Sequence, residues 1–206
     1  MNPLRTALRL SALGLPRGPH IIRYAMYRRL AQVMASRVRP GSRILSISHS
    51  TKLCELLDVD EPEVVEANYP KFNMLALPFG EAEFDYVVSD QVLEHVVGDP
   101  QVAINETWRI LKPGGLAMHT TCFMMPFHGS PQDLWRFSPE ALRLLCRKFK
   151  SIVEIGAWGN RYVWLLVQPL GLRFEAVPDA RWHPLHRMAV HNDPKWPVVT
   201  WIVAQK

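Results

Sequence analysis

Short apolar runs alternate with segments of helical periodicity along this chain. Between residues 19 and 36, Met26, Leu30 and Val33 recur at helical spacing, and Pro40 ends the segment. Apolar, β-branched runs predict strands at six places: Arg43–Ile47, Val64–Ala67, Phe84–Ser89, Leu116–Thr121, Ile152–Ile155 and Val198–Ala204. Because strands and helices alternate, the pattern predicts an α/β fold with a parallel sheet covered on both faces.

The remaining helices are predicted from periodicity and from their ends. Thr51–Leu57 is a brief helix, and Val92–Leu111 divides into two, the second running from about Pro100 to Leu111. Ser138–Phe149 begins with an N-cap serine followed by proline at the first helical position. Lys112–Gly115 is predicted to be a turn, since proline and glycine supply turn geometry.

Size and cysteine usage limit the architecture. A chain of 206 residues, 48% of them hydrophobic, suits one globular core. The three cysteines have neither zinc-ligand spacing nor a disulfide framework, so the sequence predicts no metal site and a reducing, cytoplasmic compartment. The longest apolar runs are far below the roughly 20 residues of a membrane span.

Charge is distributed unevenly. Residues 1–54 contain nine arginines, Lys52 and no acidic residue, a formal charge of +10, so the remainder carries −5 of the total of +5. We therefore separate a basic N-terminal helical segment, 1–40, from a domain at 41–206. Three interpretations of the segment stay open: a helix packed on the domain, a peripheral contact with an anionic membrane surface, and a targeting segment. No nucleic-acid-binding motif is present.

The stretch from Leu77 to Gly115 contains a series of motifs in a specific order. They are Leu77-Pro78-Phe79, Phe84-Asp85, Leu93-Glu94-His95 and Glu106-Thr107-Trp108-Arg109-Ile110-Leu111-Lys112-Pro113-Gly114-Gly115. Their order and spacing resemble class I S-adenosylmethionine-dependent methyltransferases of the type 11-like domain. The resemblance implies a Rossmann-like, doubly wound, mostly parallel sheet of about six strands.

A second set of motifs resembles a methyltransferase subgroup of glycan and cell-envelope biosynthesis. Its members are Thr120-Thr121-Cys122-Phe123, His128-Gly129, Pro131, Asp133, Trp135-Arg136-Phe137-Ser138, Trp158-Gly159-Asn160, Asn192-Asp193-Pro194 and Trp196-Pro197. This resemblance implies a sugar or lipid-linked glycan acceptor. Together the two resemblances cover about residues 43–206.

The chain departs from the family at the loop that holds the cofactor. The family pattern Asp-x-Gly-x-Gly-x-Gly aligns with Ser46 to Lys52, so Ser46 replaces the acid and Ser48, Ser50 and Lys52 replace the glycines. Glycine allows the backbone to approach a ligand closely, whereas serine can only tighten a turn and cap the next helix. The resemblance implies that Ser46, Ser48, His49 and Ser50 line the cofactor site, in a degenerate form of the loop.

The resemblance also places the adenosine. Asn68 stands where the family has the ribose acid, and Glu66 is a second candidate on the same face. Asn73 corresponds to the acid at the adenine, with Met74 and Leu75 beside it. Only four residues separate Asn68 from Asn73, so we expect a short loop or a lost strand at the sheet edge. Three residues that end the central strand complete the predicted pocket: Ser89, Asp90 and Gln91.

Two functions follow from these observations. The first is a methyltransferase that uses S-adenosylmethionine and acts on an oxygen or nitrogen of a small-molecule, sugar or lipid-linked glycan acceptor. His128 and His95 are its candidate general bases. The alternative is an inactive pseudo-methyltransferase that serves as a binding or regulatory partner. A homo-oligomer is compatible with either.

Overall fold

A computed structural model describes residues 3–129 and 132–206, so Pro131 lies outside the described residues. The helices of the described part are α1 (Pro3–Ser11), α2 (Ile21–Met34), α3 (Thr51–Glu55), α4 (Pro100–Ile110), α5 (Pro139–Leu145) and α6 (Pro184–Val190). A 3₁₀ turn spans Leu93–His95 and a π-helical turn spans Val163–Val167. The strands are β1 (Arg17–His20), β2 (Arg43–Ile47), β3 (Glu63–Ala67), β4 (Phe84–Asp90), β5 (Leu111–Cys122), β6 (Ser151–Trp158), β7 (Ala176–Pro178) and β8 (Val199–Gln205).

Six strands form one twisted sheet in the order β3-β2-β4-β5-β8-β6. β3, β2, β4 and β5 are parallel to one another, and β8 is antiparallel to both β5 and β6. This confirms the predicted doubly wound, mostly parallel sheet of about six strands. The carboxyl ends of β2, β3 and β4 therefore meet at one edge, which is where such folds bind ligands.

Each face of the sheet buries its own apolar core. One core contains the α2 side chains Met26 and Leu30, together with Tyr86 of β4. The other contains Ile104 of α4 and Leu142 of α5 against Val87 of β4. Successive residues of a strand point to opposite faces, so β4 supplies both cores. The two cores hold the carboxyl ends of the central strands in fixed register.

The start of α5 follows the predicted capping chemistry, and α4 has a cap of the same kind. The Ser138 hydroxyl accepts a hydrogen bond from the Ala141 N–H at 3.2 Å, and Pro139 opens α5. The Asp99 carboxylate caps α4 by accepting from the Gln101 N–H at 2.8 Å. These side chains satisfy backbone donors that no helical carbonyl can reach.

Several predicted boundaries are wrong. The helix predicted over Ser138–Phe149 ends at Leu145. The predicted turn at Lys112–Gly115 lies inside β5, which begins at Leu111. There the register against β4 shifts between Phe84 and Tyr86, so the extra residues bulge out of the ladder without ending it.

The sheet also lacks one connection. After β3 the chain makes a short loop and one isolated bridge between Asn73 and Ala76, and then enters β4. β3 is consequently an edge strand among the described residues, as the short spacing between Asn68 and Asn73 predicts.

Residues 3–34 pack on the rest of the molecule. β1 pairs with β7 in a separate two-stranded sheet, and α2 lies in the core beside β2. Arg5 and Arg9 of α1 both form ion pairs with Glu175. The division of the chain at residue 40 stays a prediction. Within residues 3–129 and 132–206, no helix has both the length and the apolar character of a transmembrane helix.

Candidate functional site

The turn after β2 has the left-handed backbone that glycine usually supplies. Ser48, at a glycine position of the family pattern, has a φ of 49°, and His49 has a φ of 62°. The Ser48 N–H donates to the Ala67 carbonyl at 3.0 Å, and the His49 N–H donates to Asn68 Oδ1 at 2.8 Å. A left-handed non-glycine residue costs on the order of 1 kcal/mol. These two hydrogen bonds hold the turn against that cost.

Ser50 fixes the turn to the centre of the sheet. Its hydroxyl donates to the Ile47 carbonyl at 2.5 Å and accepts from the Asp90 N–H at 2.7 Å. Both Ser50 and Ser46 are buried, whereas Ser48 is half-buried and His49 is exposed. Of the predicted cofactor residues in this turn, Ser48 and His49 are therefore the ones that face outward.

Asp90 ends β4 with its carboxylate fully engaged. Oδ2 accepts from Arg23 Nε at 2.9 Å and from the Tyr27 hydroxyl at 2.5 Å. Oδ1 accepts from the Thr120 hydroxyl at 2.5 Å. Burial raises the pKa of Tyr27, so its hydroxyl stays protonated and donates. Asp90 thus joins α2 to β4 and β5 at the carboxyl edge of the sheet.

The predicted ribose and adenine residues form a local network. Asn68 donates from Nδ2 to Glu66 Oε2 at 2.8 Å, while its Oδ1 holds His49. Asn73 Oδ1 accepts from the Leu75 N–H at 3.0 Å. Met74 is buried in the core beneath this loop. Each amide therefore shapes the backbone of the segment that follows β3.

The other two residues at the end of β4 have local partners. The Ser89 hydroxyl lies 2.7 Å from Nδ1 of His119, and both residues are buried. Burial lowers the pKa of His119 to about 4. Gln91 has a φ of 58° and donates from Nε2 to the Thr120 hydroxyl at 3.2 Å. Gln91 is half-buried, so its side chain lies nearer the surface than that of Ser89.

The two candidate bases lie against each other. The rings of His95 and His128 meet edge-on with centroids 5.2 Å apart. His95 Nδ1 lies 2.5 Å from the Gln132 carbonyl, and the His128 N–H donates to Asp133 Oδ2 at 2.9 Å. Arg136 pairs with Asp133 and, with burial opposing it, lowers the pKa of that carboxyl to about 2. Asp133 therefore stays charged and orders the loop that carries His128.

A group of basic side chains surrounds the same edge. Burial lowers the pKa of His20 to about 4, and the positive charges of Arg23, Arg173 and Lys52 add to that effect. Burial and Arg23 also lower the pKa of Arg173. His20 Nδ1 and Arg173 Nε are buried without a hydrogen-bond partner among the described residues, as is Nε2 of Gln168. This arrangement favours a negatively charged ligand.

Two residues of the second motif set, Gly159 and Asn160, have structural roles in this fold. Asn160 is buried, accepts from the Val163 N–H and donates to the carbonyls of Met188 and His191. A Cβ on Gly159 would lie 2.0 Å from the Trp196 carbonyl oxygen. The tryptophan-glycine-asparagine motif therefore holds the end of β6 against the segment that leads into β8.

Sequence reasoning missed several residues of this edge. Arg23 and Tyr27 lie in a segment without recognisable motifs, and only their helical spacing places them on one face of α2. Glu94 and Cys122 lie in the matched motifs, but neither was singled out. Cys122 follows a predicted strand by one residue, and that position was the sequence signal that could have placed it at the carboxyl edge of the sheet.

The sheet order, with an antiparallel strand beside the parallel set, defines a class I methyltransferase fold. A family model described as a methyltransferase domain matches residues 28–119. A curated relative from Mycolicibacterium smegmatis, named a probable S-adenosylmethionine-dependent methyltransferase, is 39% identical over 72 residues. The match covers 32% of this chain and 28% of that relative.

Solved structures show the same fold at low identity. The [4+2]-cyclase SpnF has a TM-score of 0.58 and 17% identity, and the alignment covers 98% of this chain and 92% of that one. Haemonchus contortus phosphoethanolamine N-methyltransferase 2, solved with S-adenosyl-L-methionine, has a TM-score of 0.56 and 14% identity, over 87% and 52% of the two chains. These likenesses show the fold, and because one of them is named a cyclase, the fold alone does not decide the reaction.

The domain match and the relative show that part of this chain, within residues 28–119 for the domain, is similar to S-adenosylmethionine-dependent methyltransferases.

Proposed function

We propose that this protein is a methyltransferase that binds S-adenosylmethionine at the carboxyl edge of β2, β3 and β4. The observation that carries the proposal is the turn at Ser48 and His49. Its left-handed φ values reproduce, without glycine, the backbone that a cofactor loop needs. Retaining this geometry has an energetic cost, and such strain concentrates at ligand sites.

The residues of the edge fit the parts of the cofactor. Glu66 is exposed at the end of β3 and is the charged acceptor nearest to the ribose position. Asn68 orients Glu66 and holds the turn, so it acts on both sides of the nucleoside. Asn73, Met74 and Leu75 form the loop that would cover the adenine, with Ser89, Asp90 and Gln91 as the floor of the site.

The acceptor is proposed to carry a negative charge. Arg23, Arg173 and His20 supply positive charge or hydrogen-bond donors close to the same edge. Two of their nitrogen atoms, His20 Nδ1 and Arg173 Nε, have no hydrogen-bond partner among the described residues. Carboxylates and phosphates match such donors. The resemblance of the second motif set to glycan-modifying enzymes supports a phosphate-bearing sugar or lipid-linked glycan precursor.

The cofactor, when bound, supplies an electrophilic methyl group on sulfur. The protein has to align an oxygen or nitrogen of the acceptor with that group and exclude water. His95 and His128 lie where one of them can take the proton that the acceptor loses. Asp133 orients the His128 loop for that purpose.

The basic, amphipathic segment at the N-terminus supports a peripheral contact with an anionic membrane surface, where lipid-linked acceptors occur. Leu4 and Leu10 of α1 are exposed beside Arg5 and Arg9. A cytoplasmic location at the membrane surface is part of the proposal.

A second candidate function is a pseudoenzyme. The N–H groups of Ser48 and His49 already donate within the protein, and the Asp90 carboxylate already holds three partners. If those bonds persist with ligand present, the edge cannot take the cofactor's amino acid part, and the fold serves as a binding partner.

Calorimetric titration with S-adenosylmethionine and S-adenosylhomocysteine separates the two candidates. The proposal expects saturable binding, with Asn68→Ala weaker by tenfold or about 1.4 kcal/mol, because both the turn and Glu66 lose their support. Asn105→Ala on the exposed side of α4 is the matched control and should bind normally. Absence of binding and of thermal stabilisation at millimolar ligand would favour the pseudoenzyme.

A further inference from the structure

Three potential metal ligands come together beside the proposed acceptor site. Glu94 lies in the 3₁₀ turn after β4, Cys122 is the last residue of β5, and His128 lies in the following loop. One ligand atom from each lies within 4.8 Å of the other two. Glu94 and Cys122 are fully buried, and the His128 side chain is 28% exposed. The group therefore has a closed base and one open side.

Glu94 and His128 are each held by their second polar atom. Glu94 Oε2 accepts from the Thr121 hydroxyl at 2.8 Å, while Oε1 is buried without a partner among the described residues. His128 Nδ1 lies 3.1 Å from the Pro126 carbonyl and 3.4 Å from Asp133 Oδ2. Donation to the Pro126 carbonyl requires the proton on Nδ1, which leaves Nε2, 3.9 Å from Glu94 Oε1, able to bind a metal ion. Metal-binding histidines are oriented by such outer contacts.

Charge balance also favours a cation at this point. Glu94 and Cys122 are both fully buried, so ionising them together would place two negative charges out of water. A divalent ion would compensate a carboxylate and a thiolate together. The mixed oxygen, nitrogen and sulfur donors match the ligands that Zn²⁺ takes in proteins.

The three ligand atoms are close enough to reach one ion after their side chains move inward. Zinc–nitrogen and zinc–oxygen bonds of about 2.0–2.2 Å together span roughly 4.2 Å, so Glu94 Oε1 and His128 Nε2 are within reach of one ion. With a zinc–sulfur bond of about 2.3 Å and a tetrahedral angle, Cys122 Sγ would lie about 3.6 Å from the other two ligand atoms, so from the 4.8 Å limit it would move inward by about 1 Å.

We propose that Glu94, Cys122 and His128 bind a divalent transition metal, best suited to Zn²⁺, with its fourth coordination position open on the His128 side. Three protein ligands and one open position are typical of catalytic zinc sites. The open position would take a hydroxyl or phosphate oxygen of the acceptor, and it would lower the pKa of a bound hydroxyl. In that state His128 is a ligand, and His95 remains as the base. This catalytic role rests on the proposed methyltransferase function, whereas metal binding itself does not.

The test measures metal binding by the untagged full chain. Protein freed of metal with a chelator is titrated with Zn²⁺ and, separately, with Co²⁺, and its metal content is measured by mass spectrometry. We expect about one ion per chain and a near-ultraviolet charge-transfer band from thiolate to Co²⁺. Cys122→Ser should abolish the band, and His128→Gln should weaken Zn²⁺ binding by at least about tenfold. Cys54→Ser and Cys146→Ser change the other two buried cysteines and should leave both readouts intact.

Two results would overturn the proposal: no stoichiometric binding, or a cobalt band that survives in Cys122→Ser. Circular dichroism checks the fold of each variant. Because His128 is partly exposed, His128→Gln keeps the test valid if Cys122→Ser fails to fold. Titration with S-adenosylmethionine in chelator tests the proposed function separately. Metal binding without cofactor binding would retain this site and reject the methyltransferase.

Discussion

Replacing Arg23 with methionine tests whether the ion pair at the ligand edge holds α2 in place. The side chains of Arg23 and Asp90 are 19% and 10% exposed, so the substitution leaves a carboxylate largely out of water. Removing one partner of a buried pair costs about 3–5 kcal/mol. The hydroxyls of Tyr27 and Thr120 still donate to Asp90, so we reduce the expected loss of unfolding free energy to about 2–4 kcal/mol.

Urea unfolding followed by tryptophan fluorescence measures this loss. For a chain of this size the same change lowers the melting temperature by roughly 5–15 °C. Arg29→Met is the matched control on α2, since the Arg29 side chain is 51% exposed in its pair with Glu154. An exposed pair contributes about 0–1 kcal/mol.

Equal losses for Arg23→Met and Arg29→Met would refute the reasoning that burial makes the first pair important. A further check combines Arg23→Met with Asp90→Asn. With no unpaired charge left, the double variant should regain part of the stability lost by Arg23→Met alone. A fully additive double variant would show that Asp90 is not the group left unpaired.

Three other substitutions test separate features. Burial holds the pKa of His119 at about 4, below the 6.5 of an exposed histidine. As pH falls below 6.5, the unfolded chain takes up a proton that the folded chain does not. The unfolding free energy should therefore fall by at most about 3 kcal/mol between pH 6.5 and 4. His119→Gln should flatten the pH dependence of the unfolding free energy in that window, whereas His191→Gln should not. Gly159→Ala should abolish the soluble fold, because its Cβ would meet backbone, while Gly129→Ala should leave the melting temperature within a degree or so of the parent. Ser48→Gly should raise the unfolding free energy by about 0–1 kcal/mol, since glycine relieves the strain of a left-handed backbone. A clear decrease of the unfolding free energy in urea would contradict that explanation of the turn.

The sheet could be predicted because its information is local. Short apolar runs predict β2, β3, β4 and β8 to within a residue or so of their observed ends. β1 and β7 could not be predicted, because each has only three or four residues and is stabilised by pairing with the other from the far end of the chain. The bulge at Lys112–Gly115 reads as a turn, since proline and glycine occur in both structures.

The chemistry of the site was less predictable because partners come from distant positions. Asp90 could be placed at the ligand edge, but its pairing with Arg23 spans 67 positions and has no sequence signal. The left-handed turn was equally hidden, because serine and histidine at Ser48 and His49 do not indicate positive φ. The proposed metal ligands could not be predicted for the same reason, because Glu94 and Cys122 are 28 positions apart and lack the short spacing of a metal-binding motif.

The missing strand after β3 has a consequence for solubility. An open border of a sheet offers unsatisfied amide and carbonyl groups to any other extended chain, which invites polymerisation. Glu63 and Glu66 stand exposed along this border, and like charges on an approaching copy would repel it. Neutralising both should make the protein prone to self-association, because the acidic side chains would no longer repel a second copy at this edge.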